Sequence, residues 1–336
     1  MKKEVSFLIC GILIGVLAAT CGFALFLRGS AGGSAKVVLK LGHGLDPSHP
    51  VHKAMEFMNK RLVKISGGTV RMDIYPSSVL GSEVQCIEQL QNGSLAMTKT
   101  STASIENFVS EMSVFGLPYL FRDEGHYWDV LTSEIGRELL EKMQVKNLRG
   151  LCYYDSGSRN FYTKDHPIRT PDDLRGLKIR VMNSRTAMDM VSALGAAPTP
   201  IAWGELYTAL AQGAVDGAEN NPPSFTTNKH YEICRHFSKD GHTMIPDVLL
   251  IGTKTWQTLD PQVQKWVQQA ADESSDFQRE LWKEKTIESL EEAKADGVTV
   301  YEVDKSLFAE KVKPMYEAIE NEKVKDLVVR IRKVKP

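Results

Sequence analysis

The sequence predicts an α/β fold in two lobes, and three observations point there. From Lys36 onward, strand-type and helix-type patterns alternate, the order that builds sheets covered by helices. A helix–glycine–strand unit occurs twice, at Glu83–Met97 (E-V-Q-C-I-E-Q-L-Q-N-G-S-L-A-M) and at Glu205–Gly217 (E-L-Y-T-A-L-A-Q-G-A-V-D-G), suggesting two lobes on similar plans. A periodic helix pattern then runs from Asp260-Pro261 to Asp296-Gly297, and about 35 residues at 1.5 Å each span roughly 50 Å. In a two-lobe chain a helix of that length bridges both lobes.

The N-terminus comes first. Lys2 and Lys3 precede an apolar stretch from Val5 to Leu27 that Arg28 closes, long enough for a helix to cross a bilayer. A secretory core is usually shorter, about 7–15 residues. An uncleaved anchor fits the length, and a late cleavage near Ala31–Ala35 fits the Gly/Ser/Ala-rich tail. A lipoprotein signal at Cys21 is a poor match, with Thr20 before it and Phe23–Leu27 after it. On each reading the remainder is exported to the periplasm, tethered or free.

Lys36–Gly42 reads as a strand and His43–Pro50 as a turn-rich loop. A helix over Val51–Ile65 places Ala54, Phe57, Met58, Leu62 and Ile65 at helical spacing, and Gly67-Gly68 stops it. Val70–Tyr75 alternates as a strand, and the helix Glu83–Gln91 stops at Asn92-Gly93. Gly150–Ser156 is the first crossing between lobes. Thr170-Pro171 starts a helix, Val298–Val303 forms a strand, and Ser306 caps a helix near Leu307. The basic tail Lys323–Lys335 reads as a solvated terminal helix. These boundaries divide the chain into a leader (1–35), a first lobe (36–156 with about 245–284) and a second lobe (157–244 with about 285–336).

Composition narrows the function. A net charge of -1 with dispersed Lys and Arg gives no footprint for nucleic acid. No G-x-S-x-G, H-E-x-x-H, G-x-G-x-x-G or P-loop pattern is present, so no cofactor and no metal are expected. His43, His49 and His52 cluster without zinc-like spacing and read as a solvent-facing loop. Beyond the leader, Cys86, Cys152 and Cys234 lie among apolar neighbours and read as small core residues; an oxidising compartment permits one disulfide, but the sequence does not choose a pair. Asp216 and Glu219, flanked by glycine and asparagine, read as holders of turn geometry.

Three polar residues stand out within apolar signals. Arg180 ends the strand run L-K-I-R-V-M, Arg159 lies in G-S-R-N-F-Y, and Asn220 follows V-D-G-A-E. Two guanidiniums and an amide suit a small carboxylate, because the planar donor fork of arginine matches its two oxygens.

The chain resembles the solute-binding (P) component of TRAP transporters, the tripartite ATP-independent periplasmic systems, of dicarboxylate-binding type. The resemblance rests on blocks in order: L-G-S-E with E-Q-L-Q-N-G (Leu80–Gly93), G-L-P-Y-L-F-R-D (Gly116–Asp123), G-S-R (Gly157–Arg159), T-P-D-D-L-R-G-L-K-I-R-V (Thr170–Val181), A-L-G-A-A-P-T-P (Ala193–Pro200) and the run Glu205–Asn221. It implies the two-lobe periplasmic binding protein fold, with mixed sheets, hinge strands and a long helix spanning both lobes. It implies that Arg180 grips the ligand carboxylate, that Arg159 and Asn220 assist, and that Glu83 lines the cleft from the first lobe. His43 and the loop after it, Thr100–Ser104, Trp203, Tyr207 and Met244–Asp247 are further candidates. Lys99 departs from the pattern, as a second charge for a diacid or as a solvent-facing group. The implied function is capture of a small organic acid by a monomeric protein, closing on its hinge and delivering to a sodium-coupled TRAP permease, without catalysis. An ABC-type binding protein is an alternative, as is a lyase or hydrolase using Asp216/Glu219.

Overall fold

A computed structural model describes residues 35–335. The apolar stretch Val5–Leu27, and with it the anchor, signal and lipoprotein readings, lies outside those residues. Among the described residues, no helix is long and apolar enough to cross a membrane.

The strands form two mixed sheets. The first has the order β2-β1-β3-β10-β4, with β1 Val37–Gly42, β2 Val70–Tyr75, β3 Met97–Ser101, β4 Leu148–Tyr154 and β10 Asp247–Gly252. β1 pairs in parallel with β2 and β3, whereas β10 is antiparallel to both its neighbours. The second sheet runs β11-β9-β5-β8-β6-β7, with β5 Arg159–Thr163, β6 Lys178–Val181, β7 Ala197–Pro200, β8 Gly217–Asn220, β9 His236–Thr243 and β11 Thr299–Glu302. β5 lies antiparallel between β8 and β9, and β6 pairs in parallel with β7 and β8. The chain leaves the first sheet after Tyr154 and returns to it as β10 directly after β9, so two short connections act as straps between the lobes.

Local chemistry sets the helices. In α1 (Pro50–Ile65), the His49 side chain accepts from the Val51 amide and Pro50 occupies the first turn. α2 (Glu83–Asn92) opens with a reciprocal capping box between Ser82 and Gln85 and closes on Gly93, whose φ of 88° needs a residue without a Cβ. The helices α3 (Glu124–Thr132) and α4 (Glu134–Lys142) cover the first sheet; α5 (Arg185–Ala193), α6 (Leu206–Ala211) and α7 (Pro222–Thr227) pack on the second. α8 (Pro261–Ala295) is one uninterrupted helix of 35 residues, entered through Asp260 and Pro261. Its Val263, Val267, Ala270 and Ala271 sit in a first-lobe core with Met55 and Met58, while Ala293 sits in a second-lobe core with Leu210 and Phe225. It therefore bridges both lobes.

Two expectations change. Asp304, rather than Ser306, caps α9 (Lys305–Val312), its carboxylate accepting from the Ser306 amide. The basic tail is not a solvated helix: α10 (Glu322–Lys333) buries Val324, Leu327, Val328 and Ile331 in the first-lobe core with Phe115, Tyr127 and Leu139. The segment 285–336 thus ends on the first lobe, because those four positions form a helical stripe that the surrounding lysines and arginines mask. Cys86, Cys152 and Cys234 are buried free thiols.

Candidate functional site

A cavity of about 560 Å³ lies between the lobes. The first lobe contributes Glu83 from the start of α2, Lys99 from the middle and Ser101 from the end of β3, and Asp247 from the start of β10; the second contributes Arg159, Asn220 and Arg180 from the consecutive strands β5, β8 and β6, with Trp203 beside them. The strands fix their side chains on rigid backbone, while the cleft between sheets leaves room for a small molecule.

Arg180 is the largest of the fully buried side chains, at 1% exposure. Its Nε donates to the Ile201 carbonyl (2.9 Å), and its guanidinium lies 5.7 Å from the Trp203 ring centre. Its Nη1 is buried with no hydrogen-bond partner. Among the described residues no carboxylate forms an ion pair with it, and burial pulls its pKa below the usual arginine range. A buried cation with an orphaned donor is costly unless an anion meets it.

Arg159 differs. Its guanidinium is ion-paired with Glu219, donating from Nε and, at 2.9 Å, from Nη2, and it also reaches the Glu219 carbonyl (2.8 Å) and Asn220 Oδ1 (2.9 Å). His242 extends this network, lying 3.2 Å from Glu219 and 2.7 Å from Asp240. Burial would lower the His242 pKa, but Asp240 and Glu219 outweigh it and raise it to about 9. Burial likewise opposes the ionised Glu219, yet Arg159 and His242 hold it down at about 2. Charge on Arg159 is therefore already balanced, so it shapes the cleft through spare donor capacity. Asn220 Oδ1 is spent on Arg159 and the Asn221 amide, which leaves its Nδ2 as the group without a bond to the described residues.

On the first lobe, Lys99 is not solvent-facing. It is buried between Glu83 (3.3 Å) and Asp247 (3.0 Å). Glu83 also accepts from the Ser101 amide (3.2 Å) and the Ser104 hydroxyl (2.6 Å). Burial pushes Glu83 up, but Lys99 and these donors prevail and hold it low; for Asp247, burial prevails and raises it.

The remaining candidates divide. Trp203 lines the cavity. Tyr207 does not: it is exposed on α6, its hydroxyl bonded to Glu232 (2.8 Å). His43 lies behind the cavity wall, bonded to His52 (3.0 Å), and burial with the nearby Lys99 charge keeps it neutral. The histidine cluster is buried rather than solvent-facing, and it is His49 that reaches the cavity, 3.2 Å from Ser224 of the opposite lobe. Asp216 holds backbone, accepting from the Lys178 amide (2.7 Å), but Glu219 belongs to a buried ion network instead of a turn. Asp240 and His242 were not anticipated; their signal was the alternation of Ser238, Asp240 and His242 along one face of β9. No group of three or more His, Cys, Asp or Glu able to hold a metal occurs among the described residues.

Residues 41–323 match the family model for bacterial extracellular solute-binding protein, family 7. The chain belongs to this family, the TRAP solute-binding proteins. A TRAP periplasmic solute-binding protein from Bradyrhizobium, solved in complex with α/β-D-galacturonate, is 40% identical, with coverage of 88% of this chain and 99% of that one and a TM-score of 0.85. Its counterpart from Xanthobacter autotrophicus, solved with bound β-D-galacturonate, is 37% identical, with coverage of 88% and 100% and a TM-score of 0.86. The C4-dicarboxylate-binding periplasmic protein DctP of Rhodobacter capsulatus is 31% identical over 266 residues, covering 79% of this chain and 80% of that protein. The TRAP family member described here is a solute-binding protein and not an enzyme, and the ABC-type and lyase or hydrolase alternatives give way.

Proposed function

We propose that this TRAP solute-binding protein captures a sugar acid of the uronate class in the periplasm and presents it to a sodium-coupled TRAP permease. The observation that carries the reading is the buried Arg180 guanidinium, unpaired within the interlobe cavity. A ligand carboxylate supplies the missing counter-charge, with the Asn220 amide and the Arg159 fork as further donors. The galacturonate-bound relatives support a hydroxylated acid, and Trp203 lines the same cavity as an aromatic neighbour for its C–H surface. Contacts from both lobes make the closed state the better binder, so ligand shifts the population toward closure about the straps.

The test is mass spectrometry of acid released from the purified protein, followed by a thermal-shift panel of galacturonate, glucuronate, succinate and galactose. The uronates are expected to raise Tm and galactose to leave it unchanged. A panel in which no acid shifts Tm overturns the reading. Permease delivery is tested separately, by transport in vesicles with and without a sodium gradient.

A further inference from the structure

The first-lobe wall of the cavity carries information that Arg180 does not. Lys99 is the one lysine on it, and a lysine facing Arg180 across a cleft suggests a molecule with a carboxylate at each end. The geometry says otherwise. Its ammonium is shared between Glu83 Oε1 (3.3 Å) and Asp247 Oδ2 (3.0 Å), with the side chain 4% exposed. Two carboxylates against one ammonium leave this wall with a charge of −1, or zero were Asp247 protonated; in neither case is positive charge left over for an incoming anion. Across the cleft the balance has the opposite sign. Arg159 is offset by Glu219 and His242 by Asp240, which leaves Arg180 as the surplus cation. Glu205, the other acid at the cavity, is exposed.

The acceptors on the first-lobe wall are also unequal. Both Glu83 oxygens are occupied, by Lys99, the Ser101 amide and the Ser104 hydroxyl. Asp247 Oδ1 receives no hydrogen bond from the described residues. It lines the cavity on a strand start held by β3 on one side and β4 on the other. An open carboxylate oxygen in such a place accepts from a hydroxyl and repels a carboxylate.

We infer that Asp247, held by Lys99 and backed by Glu83, reads the hydroxyl end of the ligand and excludes a second carboxylate, so that the protein selects polyhydroxylated monocarboxylates over the diacids of the same carbon number. This deepens the uronate reading and rests on Arg180 taking the carboxylate. Lys99 is a positioning residue: it fixes Asp247 without contributing charge to the ligand.

Calorimetric titration with D-galacturonate, D-glucuronate, galactarate and glucarate separates the two levels. The wild-type protein is expected to bind at least one uronate about tenfold or more tighter than either diacid, as a like-charge encounter at low dielectric requires. Asp247→Asn is expected to weaken the uronate modestly and to narrow the uronate-to-diacid ratio by about tenfold, since it removes the repelling charge and keeps the shape. Glu83→Gln with Asp247→Asn, leaving Lys99 unopposed, narrows it further. A role confined to stability would lower Tm and leave the ratio alone. Diacids binding the wild type as tightly as uronates, or a ratio unmoved by a folded Asp247→Asn, overturns the inference while uronate binding stands. Absence of binding by all four acids instead overturns the uronate reading beneath it. The wild-type ratio decides the matter even if a variant fails to fold.

Discussion

Replacing Arg180 by methionine keeps a long side chain in β6 and removes the charge. A carboxylate about 4 Å from the guanidinium, at an effective dielectric near 20, is attracted by about 4 kcal/mol. That agrees with the roughly 3–5 kcal/mol lost when one member of a buried ion pair is deleted. At 1.4 kcal/mol per tenfold, affinity falls by about three orders of magnitude. Ligand at about 1,000 times its Kd stabilises the wild type by about 4.1 kcal/mol, and the same concentration stabilises the variant by only about 0.4 kcal/mol. The unliganded proteins move the other way. Arg180 Nη1 is a buried donor without a partner, a state that costs about 1–3 kcal/mol or more for a charged group. The variant without ligand should therefore be at least as stable as the wild type, and by urea denaturation more stable by an amount of that order. Calorimetric titration and paired melting curves read both effects. Retained affinity would refute the carboxylate grip; a variant markedly less stable without ligand would refute the claim that the cation is uncompensated.

Three further outcomes follow from the geometry. Because Asp240 and Glu219 raise His242 to about 9 in the fold against 6.5 as its ordinary value, its stabilisation is full below pH 6.5 and is lost as pH rises toward 9. Unfolding free energies measured from pH 6 to 10 should fall across that window by up to about 1.4 kcal/mol per unit, and His242→Gln should flatten the curve; parallel curves would exclude it. Leu327→Ala opens a cavity where α10 meets the first-lobe core and should cost about 2–5 kcal/mol, whereas a change within about 0.5 kcal/mol would mean the tail is not docked. Gly157, at φ 56° in the first strap, would place an added Cβ 2.8 Å from Trp282 Nε1, so Gly157→Ala should destabilise by about 1–2 kcal/mol or more, and a neutral result in thermal denaturation would contradict that backbone.

Much of the architecture was legible because its signals are local. Gly67-Gly68 and Asn92-Gly93 stop helices, and Asp260-Pro261 opens one, within a few residues of the ends observed. Arg180 was legible as a misfit, a charge in an apolar strand run. What escaped the sequence depends on distant partners. Burial of the histidine cluster needs Ser224, 175 residues away from His49, and the placement of Lys99 needs Asp247, 148 residues on. Glu219 read as part of a turn because its partners come from distant chain segments, Arg159 from the adjacent strand β5 and His242 from β9 on the far side of β5. Tyr207 follows Trp203 by four residues, but Trp203 belongs to the short turn before α6 and Tyr207 to α6 itself, where its hydroxyl is held outside the cavity by Glu232, 25 residues away. The terminal stripe Val324, Leu327, Val328 and Ile331 was present in the sequence but outvoted by charge.

The long helix has a consequence for how the molecule comes apart. Between its described ends the chain passes from one lobe to the other after Tyr154, after Thr243, along α8, and again between Pro314 and Glu322. No single cut separates the lobes, and α8 lends apolar side chains to the cores of both. Melting either lobe strips a wall from the other, so the protein should unfold as one cooperative unit with a single heat-absorption peak, and neither lobe should persist alone as a fragment. The line of the straps between the lobes is thereby not a line along which the protein comes apart.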